Sequence, residues 1–240
     1  TSFAGEESLY FDVTNQNNYS EYFGSLANGN IVGINGNNLT IQNPLYSTTN
    51  VAQLSGSASD RTNIVGNDIY YYNSSNITIN KIDLTNISAN QVEEEVIVQL
   101  PDGHVIDWNF SISGDKLVYN TYNNGNRQTF LKIGDNAPTL IASGNPCCYR
   151  VFIHNDRIYQ LQQWGYLELV DGQFVNPITG EYGNGQEQED YGNFEMNMNT
   201  MREHNGLVYA MMKGNDGQYR PYRFDPETNQ TLAIPYDLSE

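Results

Sequence analysis

Cysteine, histidine, proline and positive charge are all scarce in this chain of 240 residues. It holds 2 Cys, 3 His and 8 Pro, and 11 Lys and Arg stand against 28 Asp and Glu, a formal net charge of −17. The two cysteines are adjacent, Cys147 and Cys148, so they cannot staple distant segments in the way a small disulfide scaffold requires. The shortage of cations argues against nucleic acid as a partner, because phosphate backbones are held mainly by Lys and Arg. It disfavours anionic membrane surfaces for the same reason. No apolar run approaches the roughly 18 residues of a membrane-spanning helix. What is abundant is tyrosine (18), glycine (21) and asparagine (33), with aromatics at 12%. That aromatic content argues against a disordered acidic tail. Asn, Gly, Thr and Tyr are poor helix formers, and no segment of 11 or more residues carries a helical period. The composition points to a tyrosine-rich, all-β protein.

Low Lys with high Asn, Tyr, Ser and Thr, on a strongly acidic chain, leads us to expect a bacterial secreted, periplasmic or cell-surface protein. The start at Thr1 is expected of a mature or trimmed chain.

An internal repeat organises the sequence. A Gly/Asn/Asp turn is followed by an aliphatic residue and a β-branched or aromatic pair. It appears at Asn28-Gly29-Asn30 before Ile31 and at Gly66-Asn67-Asp68 before Ile69. It returns at Gly114-Asp115-Lys116 before Leu117, at His154 to Arg157 before Ile158, and at His204-Asn205-Gly206 before Leu207. The anchors lie 38, 48, 41 and 49 residues apart, inside the window for propeller blades of four strands. The third repeat is read as strands at 105–113, 117–122, 128–133 and 138–143, joined by turns rich in the residues that accept positive φ. A lone blade cannot bury both faces, whereas stacked blades can. The expected fold is therefore all-β, a single β-propeller domain over 1–240 with about five blades. Residues 8–13 would add a ring-closing strand. Six blades with one incomplete, or a β-sandwich, are the alternatives.

The motifs Gly66 to Asn73 and Ser111 to Tyr119 resemble bacterial extracytoplasmic propeller domains of the TolB-like kind. The size is similar to small five-bladed lectin propellers, though no lectin motif matches. The resemblance implies a recognition scaffold more often than an enzyme, and fold alone does not decide function.

Candidate chemistry gathers where the repeat is broken. Adjacent Cα atoms lie about 3.8 Å apart, less than the roughly 4.4–6.8 Å of ordinary disulfides. An oxidised Cys147–Cys148 pair would be a strained, flat and rigid platform, and oxidation is the expectation, with two packed thiols as the alternative. The pair occupies the link between the third and fourth blades, on the face around a propeller's channel, where ligands usually bind. Trp164, at the hairpin tip Gln163-Trp164-Gly165-Tyr166, has the composition of a sugar or peptide contact. The expected binding patch is therefore Cys147, Cys148, Tyr149, Arg150, Trp164, Tyr166 and Arg127, with a glycan, peptide or protein as ligand and a monomeric chain. The enzymatic alternative is a glycoside hydrolase or lyase using the inner-strand carboxylates Asp60, Asp107 and Glu195, which would need to converge within about 10 Å. A third reading is a structural module of a larger surface protein. No catalytic residue, cofactor or metal is expected as the leading case. Ca²⁺ on the acidic stretch Asn184 to Asp190 is the alternative, although that stretch lacks the ligand spacing of a calcium loop. His104, His154 and His204 are spaced by 50 and 50, but the repeat puts His154 and His204 in equivalent turns of separate blades, which argues against a shared metal. The acidity itself, including Glu93 to Glu95, is read as solvated surface.

Overall fold

The computed structural model describes residues 21–25, 31–43, 48–86, 92–144, 150–161, 166–175, 195–197, 202–204, 207–214, 216–226, 228 and 230–234. The predicted ring-closing strand at 8–13 lies outside them. The described chain is a five-bladed β-propeller. Its five antiparallel sheets are built from strands in sequence order, apart from a single 3-10 turn at Leu84–Asn86 among the described residues. The chain divides into two compact units, 1–105 and 106–240.

The first unit holds two blades. Blade one runs β1 (Glu21–Ser25), β2 (Ile31–Asn35), β3 (Asn38–Asn43) and β4 (Thr48–Gln53); blade two runs β5 (Ala58–Val65), β6 (Asp68–Asn73), β7 (Thr78–Asp83) and β8 (Glu94–Gln99). The inner strands β1 and β5 lie against each other. Between the two blades sits one apolar cluster that includes Val32, Ile34 and Leu39 from blade one and Ile69, Tyr71 and Ile82 from blade two. Each fully buried aliphatic or aromatic side chain of this kind contributes on the order of 1.5–3 kcal/mol.

The second unit holds three blades. Blade three comprises β9 (Val105–Ser113), β10 (Lys116–Asn123), β11 (Asn126–Ile133) and β12 (Thr139–Gly144); blade four comprises β13 (Arg150–His154), β14 (Arg157–Leu161), β15 (Tyr166–Val170) and β16 (Gln173–Val175). In blade five, β17 (Glu195–Met196) and β18 (Arg202–His204) both pair with β19 (Leu207–Lys213), which continues to β20 (Tyr219–Asp225) and β21 (Gln230–Ala233). The inner position of this blade is thus shared by two short strands. Phe152, Tyr159 and Tyr166 of blade four pack with Val208, Met212 and Phe224 of blade five. Val118 of blade three packs with Val151, Ile153 and Leu167 of blade four.

All five repeat anchors fall in the second strand of a blade: Ile31 in β2, Ile69 in β6, Leu117 in β10, Ile158 in β14 and Leu207 in β19. The preceding turn explains why. Gly66 (φ 63°) and Gly114 (φ 59°) are left-handed, the conformation tight hairpins need and Gly adopts without a Cβ penalty. Blade four uses Asn155 (φ 45°) and Asp156 (φ 65°) instead, the two residue types besides Gly that tolerate this region best.

Candidate binding site at the end of blade three

The site is best built from β9. Side chains of a strand alternate, so Asp107, Asn109 and Ser111 share one face. Asn109 and Ser111 hold the edge of β13 in the next blade. Asn109 Nδ2 donates to Val151 O at 2.7 Å, and Val151 N donates back to Asn109 Oδ1 at 3.0 Å. Ile153 N donates to Ser111 Oγ at 3.0 Å. Two side chains thus satisfy backbone groups on the edge of β13 that faces away from β14, groups that would otherwise be costly to bury.

Asp107 breaks this pattern. Its carboxylate accepts from Arg127 Nε at 2.5 Å, with both side chains largely buried. Arg127 lies in β11 directly across from Tyr122 of β10 on one side and Gly144 of β12 on the other. Its guanidinium sits over the Tyr122 ring, 5.4 Å from the centroid, a cation–π arrangement. Tyr122 itself is 38% exposed. Between them, the hairpin is closed by the Asn123–Asn126 pair. Its turn is Asn124 (φ 48°) and Gly125 (φ 90°), the Asn-Gly sequence that a type I′ turn favours.

The link between blades three and four leaves and returns at this same end. β12 ends at Gly144, the cross-strand partner of Arg127, and β13 begins at Arg150, next to the Val151 that Asn109 clasps. Arg150 is half-buried. Cys147, Cys148 and Tyr149 lie outside the described residues, as does Trp164. The other predicted site residues fall as follows. Tyr166 is the first residue of β15 and only 5% exposed. It packs edge-on against Phe224 at 5.0 Å, and its hydroxyl donates to Pro226 O at 3.3 Å. That is a core position, because Tyr166 already belongs to the strand. Of the three carboxylates proposed for catalysis, Asp107 is tied to Arg127. Asp60 lies in β5 within an irregular stretch, where pairing shifts between Ala58 and Thr62. Glu195 opens β17, opposite Lys213.

The histidines are placed singly. His154 ends β13, and its Nε2 is 4.0 Å from Asp225 Oδ1 of blade five. His204 ends β18 opposite Leu207. The His104 backbone N–H donates to Pro101 O at 3.0 Å. Among the described residues, no group of three or more His, Cys, Asp or Glu is arranged to hold a metal ion; the stretch Asn184 to Asp190 lies outside them. No helix among the described residues is long and apolar enough to cross a membrane.

Sequence reading misses a second polar centre, in blade two. Glu94, placed with the solvated acids, is instead half-buried at the start of β8. Ser55 N and Ser55 Oγ each donate to it at 2.6 Å, Asn80 Nδ2 donates at 2.9 Å, and the Tyr71 hydroxyl donates to the same oxygen as Asn80. Burial pushes the Glu94 carboxyl up, but hydrogen bonds from Ser55, Tyr71 and Asn80 outweigh it and hold the group below the usual carboxylate range. Burial, together with the Glu94 charge, pushes the Tyr71 phenol far above its ordinary range. Ser55 belongs to the link between blades one and two, so Glu94 pins that link to blade two. Alternation cannot reveal this. β8 carries a bulge, with Ile79 opposite Val98 and Asn80 opposite Val96, and a bulge resets which residues face inward.

Neither protein-family models nor curated protein sequences match the chain. Solved structures do share its fold. It is similar to regucalcin, a calcium-binding protein from Agrobacterium tumefaciens, at 11% identity and a TM-score of 0.52, over 90% of this chain and 73% of that one. It is similar to a luciferin-regenerating enzyme at 11% identity and a TM-score of 0.51, over 86% of this chain and 73% of that one. A prolyl endopeptidase structure shares 12% identity at a TM-score of 0.51, over 89% of this chain but 35% of that one. These likenesses are of fold, and the functions named with them are diverse.

Proposed function

We propose that this propeller is a non-catalytic recognition module acting outside the cytoplasm of a bacterium, related to the TolB-like extracytoplasmic propellers. It engages a glycan, peptide or partner protein at the end of blade three. The observation that supports the reading is the grouping there of Tyr122, Arg127 and Asp107 with both ends of the Gly144-to-Arg150 link. That link carries Cys147, Cys148 and Tyr149, and Arg150 borders it. An exposed aromatic beside fixed polar groups is the usual composition of a recognition surface. Asp107, one of the three inner-strand carboxylates of the hydrolase alternative, is engaged by a guanidinium inside its own blade, which favours a positioning role over proton transfer.

The test is to expose the purified chain to glycan and peptide arrays and, in parallel, to chromogenic glycosides. Saturable binding without turnover is expected. Turnover that Asp107→Asn abolishes would overturn the reading in favour of the hydrolase. Intact-mass analysis after alkylation under non-reducing conditions addresses the cysteine pair: no alkylation is expected, and two alkylated thiols would remove the disulfide platform from the site.

A further inference from the structure

Resting on the recognition reading above, the geometry points to a narrower assignment, in which Tyr122 is a stacking platform for a neutral sugar ring and Asp107 with Arg127 anchors the sugar's hydroxyls. Sequence reading places Tyr122 at the end of the expected strand 117–122 and gives it no role in binding. The structure supplies three reasons for it.

The ring is held rather than free. Arg127 is Tyr122's direct partner across β10 and β11, and its guanidinium covers one side of the ring at 5.4 Å. Arg127 is in turn fixed by Asp107. A ring fixed before the ligand arrives loses little conformational freedom on binding. Yet Tyr122 keeps 38% of its surface in solvent, and the face of an aromatic ring attracts the polarised C–H groups of a pyranose through its negative quadrupole.

The polar partners have the right sign and count. Asp107 takes one hydrogen bond, from Arg127, among the described residues, whereas an ionised carboxylate offers about four lone-pair positions. A donor-rich ligand such as a polyol would meet Asp107 at the 15% of its side chain that stays exposed. Charge then selects among sugars. Asp107 cancels Arg127, so the pair presents no net positive charge, and the chain carries −17 in all. An acidic glycan would meet repulsion without compensation.

Adjacency completes the argument. Asn123, Asn124 and Asn126 form the hairpin immediately beyond Tyr122, with Asn124 and Asn126 exposed. Amide side chains both donate and accept, which is what alternating hydroxyls on one ring edge require. An extended peptide that adds as a strand would need a free strand edge. The β10–β11 hairpin offers none here, since both of its strands are already paired within the blade.

The experiment is calorimetric titration of the intact chain with neutral cello-, xylo-, manno- and chito-oligosaccharides, with an immobilised random-peptide library as the second arm. The variants are Tyr122→Ala and Tyr122→Phe, each checked for an unchanged melting temperature. Binding of at least one neutral oligosaccharide is expected. It should weaken about tenfold or more in Tyr122→Ala, the size of a lost stacking contact, and stay within about threefold in Tyr122→Phe, which keeps the ring. Oligosaccharide binding that Tyr122→Ala leaves intact overturns the platform while the recognition reading stands. Binding of peptides alone overturns the sugar assignment and again leaves recognition standing. No binding of any oligosaccharide at millimolar concentration overturns the assignment outright, and turnover of one overturns the recognition reading with it.

Discussion

Two partly buried carboxylates in this protein have opposite fates. In blade two, Glu94 accepts four hydrogen bonds, from Ser55 twice, Tyr71 and Asn80. In blade three, among the described residues, Asp107 accepts one, from Arg127, beside an exposed tyrosine. The first is consumed by the fold and joins a link to its blade. The second is steadied by the fold and, among the described residues, is met by that one donor alone. Burial alone would have ranked the two alike; the count of donors separates a structural acid from an available one.

That contrast is easiest to break at Glu94. Glu94→Ala leaves the Tyr71 hydroxyl, the Asn80 amide and the Ser55 N–H without their acceptor, so urea denaturation should show a loss of about 3 kcal/mol. A loss below about 1 kcal/mol would show that the network is dispensable.

The same centre is sharpened by Gly56. A Cβ there would meet Asn73 Oδ1 at 2.3 Å. Asn73 is fully buried and cannot swing away cheaply: its Oδ1 accepts from Ser75 N and Asn76 N, and its Nδ2 donates to Ser55 Oγ. Gly56→Ala should cost about 2 kcal/mol through this overlap, read from the same denaturation midpoint.

Acid provides a third comparison. The Glu94 pKa is depressed in the folded state from a reference of 4.5. Its contribution is therefore fully present above that value and lost as pH falls through the lower, folded one. The stability gap between wild type and Glu94→Gln should be flat from pH 8 to about pH 5 and shrink in more acidic solution. A gap that shrinks at neutral pH would contradict the assignment.

Asp107 should behave differently. Asp107→Asn keeps an acceptor oxygen for Arg127, and a cost of about 1 kcal/mol is expected. Tyr122→Ala, at an exposed position, should shift stability by about 0.5 kcal/mol or less. If either destabilises as much as Glu94→Ala, the distinction between the two carboxylates fails.

The sequence makes the blade pattern readable because turn chemistry is local. Expected strands at 105–113, 117–122, 128–133 and 138–143 lie within two residues of β9 to β12, since Gly114 and the Asn124-Gly125 pair mark where the chain must turn. Side-chain roles depend on pairing, and pairing is not local. Tyr166 reads as hairpin tip beside Trp164 yet packs against Phe224, a partner 58 residues away. Glu168 reads as an ordinary acid, yet it is buried and receives Arg157 Nε at 2.6 Å. Arg127 and Asp107 were each singled out, for different reasons and different functions. Their union required knowing that β11 lies next but one to β9 in the sheet, so that the Arg127 side chain spans β10 to reach Asp107.

The clasp of Asn109 on Val151 has a consequence in time. The Val151 amide hydrogen is bonded to a side chain of the neighbouring blade, 42 residues earlier in sequence, and the Ile153 amide is held likewise by Ser111. Neither can exchange with solvent deuterium until blades three and four part. Two amides thus act as a clock for the opening of one seam, and comparing them with amides bonded inside blade four would tell whether the blades breathe singly or as a block.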